Sequence, residues 1–257
     1  GKRRGLSDPG LPDEGRPAQS SLCGNGKQGK GRYMDAVFEY ITYNFDILLN
    51  ILGATGTVIL LFAVTILCSI PCGFLFTLMK QSRSRVLSTV AGVYITVIRG
   101  TPLLLQLFFF MFGLPLIPVI GSYLKMPRLV AAMVGFVFNY SAYFAEIFRG
   151  GLLAVDKGQY EAAKVLGFTH WQTMLKIVIP QMFRVALPSL TNEFITLVKD
   201  TALIYAVAVP DILKVAKDAM NRDFRISPLI MAGIVYLILN FIVEKAMGRL
   251  EKRYQFE

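Results

Sequence analysis

The sequence predicts an all-α integral membrane protein with five transmembrane helices. Apolar residues make up 54% of the 257 residues and charged residues only 17%, less charge than a soluble domain of this size usually carries. The mean hydropathy is +0.52. The apolar residues also lie in runs long enough to cross the hydrocarbon core of a bilayer, which takes about 20 helical residues. Together, these observations indicate a single membrane domain.

The N-terminal residues 1–33 differ from the rest of the chain. They are rich in Gly, Pro, Ser and basic residues and show little apolar periodicity, so we interpret them as a disordered or non-native tail ahead of a domain of residues 34–257. The tail contains "GNGKQGKG", which has the spacing of a phosphate-binding loop. Gly31 stands where Ser or Thr would bind magnesium, so we expect no ATP site there.

Five apolar segments separated by charged stretches are the predicted spans. The first two are longer than one crossing requires, so we expect tilts or kinks, with candidates at Pro71 and Pro102. The second segment is interrupted by "RGTP". The five segments cover about 48–79, 86–119, 127–150, 182–209 and 228–247.

The distribution of Lys and Arg between the connecting segments predicts the orientation. One side of the membrane would carry twelve Lys and Arg residues and the other six, and the richer side is expected in the cytoplasm. This places the C-terminus and the 149–184 connection in the cytoplasm, and the N-terminus and the 210–227 loop outside. The basic tail argues the opposite way, but it is remote from the first span.

The connection between the third and fourth spans contains "QYEAAKVLGFTHWQTMLKIVIPQ", residues 159–181. Its first part predicts a short helix that Gly167 ends or bends sharply. A second short helix, about 169–178, would place Trp171, Leu175 and Val178 on one side, and Pro180 would stop it. Such a pair of short cytoplasmic helices is suited to docking into a groove on a soluble partner.

The same connection resembles the permease subunits of binding-protein-dependent ABC importers, which carry the pattern E-A-A-x3-G-x9-I-x-L-P. Ile179 replaces the Leu of that pattern. The stretches "RGTPLLLQL", "AEIFRGGL", "KGQYEAAKVLG", "PQMFRVALPSLTNEFI" and "LVKDTAL" look like the polar amino-acid branch of the family, and the resemblance covers Asp35 to Glu257. The matching residues of the pattern are Glu161, Ala162, Ala163, Gly167, Ile177 and Pro180.

This resemblance implies a type I ABC importer permease fold in a bacterial inner membrane. It implies that the chain has no ATPase site and binds no cofactor, because ATP and magnesium belong to two cytoplasmic ATPase subunits. The other implied partners are a second permease chain, an extracytoplasmic solute-binding protein and a polar amino acid, with no nucleic acid. The short insert would be the coupling helix that seats in the ATPase, through Gln159, Tyr160, Glu161, Ala162, Ala163 and Gly167.

Ionisable side chains inside spans are costly and mark candidate functional sites. Arg99 can bind a carboxylate through two parallel hydrogen bonds, and Thr101 can cap a half-helix that starts at Pro102. Glu193 or Asp200 could pair with an ammonium group. We predict a solute pathway lined by Arg99, Thr101, Gln106, Asn139, Tyr143, Glu193 and Thr196, with Lys199 and Asp200 as gating or structural ion pairs.

Several alternatives stay open at this point. Glu146 and Arg149 lie near the cytoplasmic end of the third span, where a contact with the coupling helix is expected rather than a solute contact. A single His170 leaves no ligand set for zinc, so no metal site is predicted. The amino acid and the choice between two identical or two different permease chains are left undecided. An ion-coupled carrier or channel is the alternative function.

Overall fold

The structure is a computed structural model, and it describes residues 25–255. Residues 1–24 of the predicted tail therefore lie outside the described residues. Within the described range the chain is helical, with short π-helical and 3-10 segments between the α-helices. The α-helices are α1 (Asn25–Lys80), α2 (Arg85–Arg99), α3 (Leu103–Phe108), α4 (Arg128–Ala154), α5 (Lys157–Val165), α6 (His170–Thr173), α7 (Ile179–Asp200), α8 (Ile212–Asp223) and α9 (Ser227–Gln255).

The chain divides between Phe45 and Asp46 into two compact units. The described part of the first unit belongs to α1, which begins at Asn25, inside the predicted tail, because extending a helix costs little once it is nucleated. There the Thr42 hydroxyl donates to the Phe38 carbonyl across 3.0 Å. The second unit, Asp46–Glu257, contains the remaining helices.

Three described helices are long and apolar enough to cross a membrane, within Met34–Lys80, Arg128–Ala154 and Ser227–Tyr254. A fourth crossing is possible if the bent pair Arg85–Arg99 and Leu103–Leu116 is a broken span. The predicted count of five spans is therefore not confirmed. The fourth predicted segment corresponds to α7, which is less apolar because it carries Gln181, Arg184, Asn192, Glu193, Lys199 and Asp200.

The second predicted segment is broken where the "RGTP" stretch predicts a break. α2 ends at Arg99, and Pro102 begins the next element in an extended conformation. The two halves are bent by 106°. After α3 the chain continues as a π-helical turn, Phe109–Gly113, and a 3-10 turn, Leu114–Leu116.

Helix α4 lies at the centre of the second unit and packs against α2, α3 and α7. Aromatic residues four apart form one buried stripe along it, at positions that a helix brings onto the same face. α1 is joined to α4 by a hydrogen bond of 2.8 Å from the Thr77 hydroxyl to the Ala145 carbonyl. The buried stripe consists of Phe136, Tyr140, Phe144 and Phe148, all at most 1% exposed.

Close contact between α1 and α4 depends on Gly73. A Cβ atom at this position would lie 2.7 Å from the Phe144 Cβ, so any larger residue would push the two helices apart. Because the Phe144 ring also meets Phe194 of α7 edge to face, at 5.9 Å between ring centroids, α1, α4 and α7 share one packing layer. This layer holds α4 in place under the polar residues described below.

Two expectations about the fourth segment are wrong. Pro180 does not stop the preceding helix, because the chain stays helical from His170 through a π-helical turn, Met174–Val178, into α7. Pro180 directly follows the π-helical turn, in which the Ile179 N–H donates to the Met174 carbonyl, so the helix continues past the residue that has no N–H. At its other end α7 stops at Asp200, and a 3-10 helix, Thr201–Val207, replaces the predicted end of the span.

The π-helical turn also explains why Trp171, Leu175 and Val178 do not share a side as predicted. A π-helical turn holds more residues than an α-helical turn, so it shifts the residues after it around the helix axis. Val178 is 0% exposed and belongs to the core, whereas Trp171 is 71% exposed. Leu175 is also exposed.

Candidate functional site

The break between α2 and α3 is held by a network of hydrogen bonds centred on Gln106. Its amide Nε2 donates to the Ile98 carbonyl across 2.9 Å and to the Thr101 hydroxyl across 2.8 Å. Its Oε1 accepts a bond of 3.0 Å from Asn139 Nδ2, which ties the break to α4. Gln106 is only 7% exposed.

This network corrects two sequence-based expectations. Gln106 was predicted to line the pathway, but it is not among the residues that line the cavity. Its side chain faces inward between α2, α3 and α4 and bonds to Ile98, Thr101 and Asn139. Thr101 was predicted to cap α3, but its hydroxyl donates back to the Val97 carbonyl at 3.0 Å, and the N-cap position of α3 belongs to Pro102. Thr101 does line the cavity that the break opens.

A cavity of about 480 Å³ lies beside this break, within the size range of small-molecule sites. It is lined by the end of α2, the start of α3, the middle of α4, the last turns of α7 and the 3-10 helix that follows α7. The structure thus brings together six of the seven predicted pathway residues, from α2, the break after it, α4 and α7. The cavity is lined by Arg99, Gly100, Thr101, Pro102, Leu103, Asn139, Tyr140, Tyr143, Glu193, Thr196, Asp200 and Leu203.

Both signs of charge line the cavity. The Arg99 guanidinium lies over the Tyr143 ring, with Cζ 5.3 Å from the ring centroid, a contact that favours a cation over the face of an aromatic ring. Glu193 and Asp200 supply carboxylates from α7. Lys199 is exposed and is not among the lining residues, since it points to a different side of α7 from Asp200.

Tyr140 is a lining residue that the sequence analysis missed. Its hydroxyl donates to Asp200 Oδ2 across 2.8 Å, so α4 and the end of α7 are joined inside the cavity. Tyr140 lies three residues before Tyr143, a spacing that places both on overlapping faces of α4. That spacing could have identified it, but a mid-span tyrosine is equally typical of a helix-packing residue.

A second cavity, of about 350 Å³, adjoins the first along α4 and α7. Both cavities are lined by Arg99, Tyr143 and Glu193, so these three side chains lie between them. The second cavity extends to Glu146, which accepts bonds of 2.8 and 2.7 Å from Arg149 of the same helix. The expected contact of this pair with the coupling helix stays a prediction.

The segment after α4 forms two short helices with well-defined caps. Asp156 caps α5 by accepting from the Gly158 N–H across 2.6 Å. Thr169 and Gln172 form a reciprocal capping box at α6, which the sequence analysis did not identify although the T-x-x-Q spacing was visible.

Gly167 ends α5 with φ of +75°, the left-handed conformation that glycine adopts without steric cost. The Phe168 N–H donates to the Ala163 carbonyl across 3.0 Å, which completes the helix C-terminus. The predicted sharp bend at Gly167 is thus present in the structure.

The predicted coupling residues divide between a buried and an exposed side of α5. Ala163 is 1% exposed, and Tyr160 is half-buried against the core. Gln159 Oε1 accepts a hydrogen bond of 3.2 Å from Nε2 of Gln181 in α7. Glu161 and Ala162 are exposed, as are Val165, Leu166 and Trp171. This exposed set forms an apolar surface with one carboxylate, defined here as the α5–α6 surface.

Comparison with known proteins identifies related sequences. A family profile described as "Binding-protein-dependent transport system inner membrane component" matches residues 69–256. The probable amino-acid ABC transporter permease protein YckA of Bacillus subtilis is 34% identical over 79% of this chain and 88% of its own length. The L-cystine transport system permease protein TcyB of the same organism is 36% identical over 68% of this chain and 74% of its length.

Solved structures share the fold. The crystal structure of an amino acid ABC transporter with histidines superposes with a TM-score of 0.73 and 32% identity, covering 84% of this chain and 97% of that one. A chain of the MetNI methionine ABC transporter superposes with a TM-score of 0.64, covering 81% and 95% of the two chains, at 16% identity. The second likeness shows the fold alone.

Proposed function

The chain belongs to the family of binding-protein-dependent transport system inner membrane components, and on this premise we propose that it conducts a polar amino acid through the membrane. The family component is the transmembrane subunit of an ABC importer, and ATP is hydrolysed on partner subunits. The relatives include permeases named for amino acids, among them L-cystine and glutamate with aspartate. This argues for an amino acid as the solute here.

The observation that carries the proposal is that side chains of both charges line the 480 Å³ cavity. Every α-amino acid presents a carboxylate and an ammonium group. Arg99 offers a planar guanidinium for the carboxylate, and Glu193 offers an oxygen acceptor for the ammonium. Asn139 and Thr196 add uncharged hydrogen-bonding groups on facing helices.

For a solute to pass from the first cavity into the second, the three residues that line both cavities must move. Arg99, Tyr143 and Glu193 lie between the two cavities and would separate a solute in the first from the second. A solute carboxylate that pairs with Arg99 competes with the Tyr143 ring for the guanidinium. Opening of this barrier is the step that ATP-driven movement has to produce.

The α5–α6 surface is the proposed contact with the ATPase. It is exposed and mostly apolar, and its residue Trp171 lies on the continuous helical path from His170 to Asp200. A displacement of Trp171 can therefore reach Glu193 and Asp200 along one continuous helical path. We further propose two permease chains on two ATPases, an extracytoplasmic binding protein, no cofactor bound by this chain, and the N-terminus outside the cytoplasm.

The deciding experiment measures solute-stimulated ATPase activity of equal amounts of purified assembly, with the binding protein in excess. Arg99→Lys keeps the charge but loses the planar fork, so the half-saturating solute concentration should rise about ten- to hundredfold, equivalent to a lost charged hydrogen bond of roughly 1.5–3 kcal/mol. Arg184→Lys, on the exposed side of α7, is the matched control. Unchanged half-saturation and maximal rate in Arg99→Lys would remove Arg99 from the site.

The alternative of an ion-coupled carrier predicts a different dependence. Uptake by a carrier survives inactivation of the ATPase subunits and stops when the ion gradient is dissipated. Uptake by the proposed importer stops with the ATPase and tolerates loss of the gradient.

A further inference from the structure

The connection between α3 and α4 exposes an unusual amount of apolar side chain for a loop. The residues concerned lie close together in sequence, on the 3-10 turns and the intervening bends of residues 114–124, called here the 114–124 loop. The exposed residues are Leu116 (80%), Val119 (91%), Ile120 (51%) and Tyr123 (88%). Such a cluster indicates a surface that meets something other than water.

The backbone of the 114–124 loop is largely satisfied by itself. The N–H groups of Ile117 and Gly121 donate within the loop, to Leu114 and Ile117 carbonyls at 3.2 and 2.9 Å. Those of Ile120 and Tyr123 donate to the Pro118 and Ile120 carbonyls at 2.9 and 3.0 Å. Pro115 and Pro118 have no N–H group. Few donors therefore need water, and paired N–H groups are one of the conditions for backbone to enter an apolar phase.

The loop is closed tightly at Gly121. A Cβ atom there would collide with the Pro115 carbonyl group, so the chain returns directly over its own start. At the tip, Val119 has φ of +74°, a conformation that β-branched residues rarely adopt. This arrangement directs the Val119 side chain outward, where it is almost fully exposed.

Position and charge identify what the loop faces. The loop overlaps the end of the bent pair at Leu116 and stops four residues before α4. Because α4 is long and apolar enough to cross the bilayer, the loop lies next to one end of a candidate span. Between Arg99 and Glu146 the sequence contains no acidic residue, whereas Lys125 and Arg128 follow the loop directly. Cations beside an apolar tip complement a leaflet of anionic phospholipids.

We propose that the 114–124 loop inserts Leu116, Val119 and Ile120 into a phospholipid leaflet, with Tyr123 at the headgroup level and Lys125 and Arg128 on lipid phosphates. Tyrosine is enriched at this depth because one end of its ring is polar. The insertion would hold α3 against α4. In this arrangement Arg99 and Asn139 line the cavity. The proposal does not depend on the identity of the solute.

The test places a nitroxide spin label at Val119→Cys in the complete assembly, with Cys23, Cys68 and Cys72 replaced by Ser. Reconstitution uses nanodiscs of phosphatidylcholine alone or mixed with phosphatidylglycerol. Relaxation by oxygen and by a water-soluble nickel chelate reports depth. Leu237→Cys on the apolar face of α9 is the membrane control, and Asn221→Cys on α8 is the aqueous control.

The Val119 label is expected to be protected from nickel like the Leu237 label, at about 5–10 Å below the headgroup boundary. Phosphatidylglycerol should deepen it, and the Lys125→Gln, Arg128→Gln pair should remove that difference. A depth that is equal in both lipid mixtures would refute the role of anionic headgroups. Nickel access equal to that of Asn221, with protection only on adding the binding protein, would show a protein-docking loop instead. Dipolar broadening between labels would show a contact between permease copies.

Discussion

The Tyr140 hydroxyl donates a hydrogen bond of 2.8 Å to Asp200 Oδ2, and this contact joins the middle of α4 to the last turn of α7. Both residues line the candidate solute cavity. The bond therefore has two effects that experiments can separate, one on the stability of the helix pair and one on the charge that Asp200 presents to a solute.

Tyr140→Phe should destabilise the assembly by about 1–3 kcal/mol, because the Asp200 carboxylate loses its donor in a partly buried position. It should also change transport, since Asp200 is then free to turn toward the solute. Tyr94→Phe is the matched control, because Tyr94 also donates a short bond, 2.6 Å to the Phe138 carbonyl, and does not line the cavity. Thermal unfolding of both variants measures the effect on stability, and uptake by both variants measures the effect on transport. Equal effects on uptake would make the Tyr140 bond purely structural.

Gln106→Leu should reduce stability without changing the half-saturating solute concentration. The substitution removes the bonds to Ile98, Thr101 and Asn139, and a buried amide left without a partner costs about 1–3 kcal/mol. Gln106→Glu keeps the size of the side chain and one acceptor, so its stability should lie between those of the wild type and Gln106→Leu. A raised half-saturation in a stable Gln106→Leu assembly would instead place Gln106 in contact with the solute.

Two substitutions of Gly167 distinguish the effect of backbone strain from the effect of contact with a partner. Gly167→Ala should weaken retention of the ATPase, because a non-glycine residue in the left-handed conformation costs about 1–2 kcal/mol. Gly167→Asn should be milder, since Asn tolerates this conformation. No protein atom of the described residues lies within 4 Å of a Cβ placed there. Should Asn weaken retention more than Ala, the larger side chain must be colliding with a partner at this position.

Asp211 offers a prediction about pH. Burial raises the pKa of the Asp211 carboxyl above its usual range, although N–H groups of Leu213 and Lys214 and the Tyr236 hydroxyl bond to it and oppose the rise. A raised folded-state pKa gives stability that is present below the usual value, about 3.9, and lost as pH rises through the raised one. Asp211→Asn keeps the helix cap without the charge.

Subtracting the unfolding free energy of Asp211→Asn from that of the wild type should therefore give a difference that falls as pH rises above about 4. Tyr236→Phe is the control, because it removes one bond but leaves the carboxyl in place. A difference that rises with pH would mean that the bonds to Asp211, and not its burial, dominate its titration.

The sequence predicted features that depend on residues close together in the chain better than features that depend on contacts between distant residues. The break at "RGTP" and the bend at Gly167 follow from Pro and Gly chemistry within a few residues, and both are present in the structure. The motifs also predicted the family. The five-span count is not confirmed, because α7 carries several polar residues, among them Glu193 and Asp200 of the cavity, and so does not resemble a membrane helix by hydropathy.

The sequence by itself determined that the chain is helical, membrane-embedded and related to importer permeases, because composition, periodicity and local motifs carry that information. Only the tertiary structure decided that Gln106 holds the break while Asn139 reaches both it and the cavity, that Tyr140 meets Asp200, and that Val178 is buried while Trp171 is exposed. Periodicity tells which residues share a helix face. It does not tell which helix packs there, and an extra residue in a π-helical turn changes the face itself.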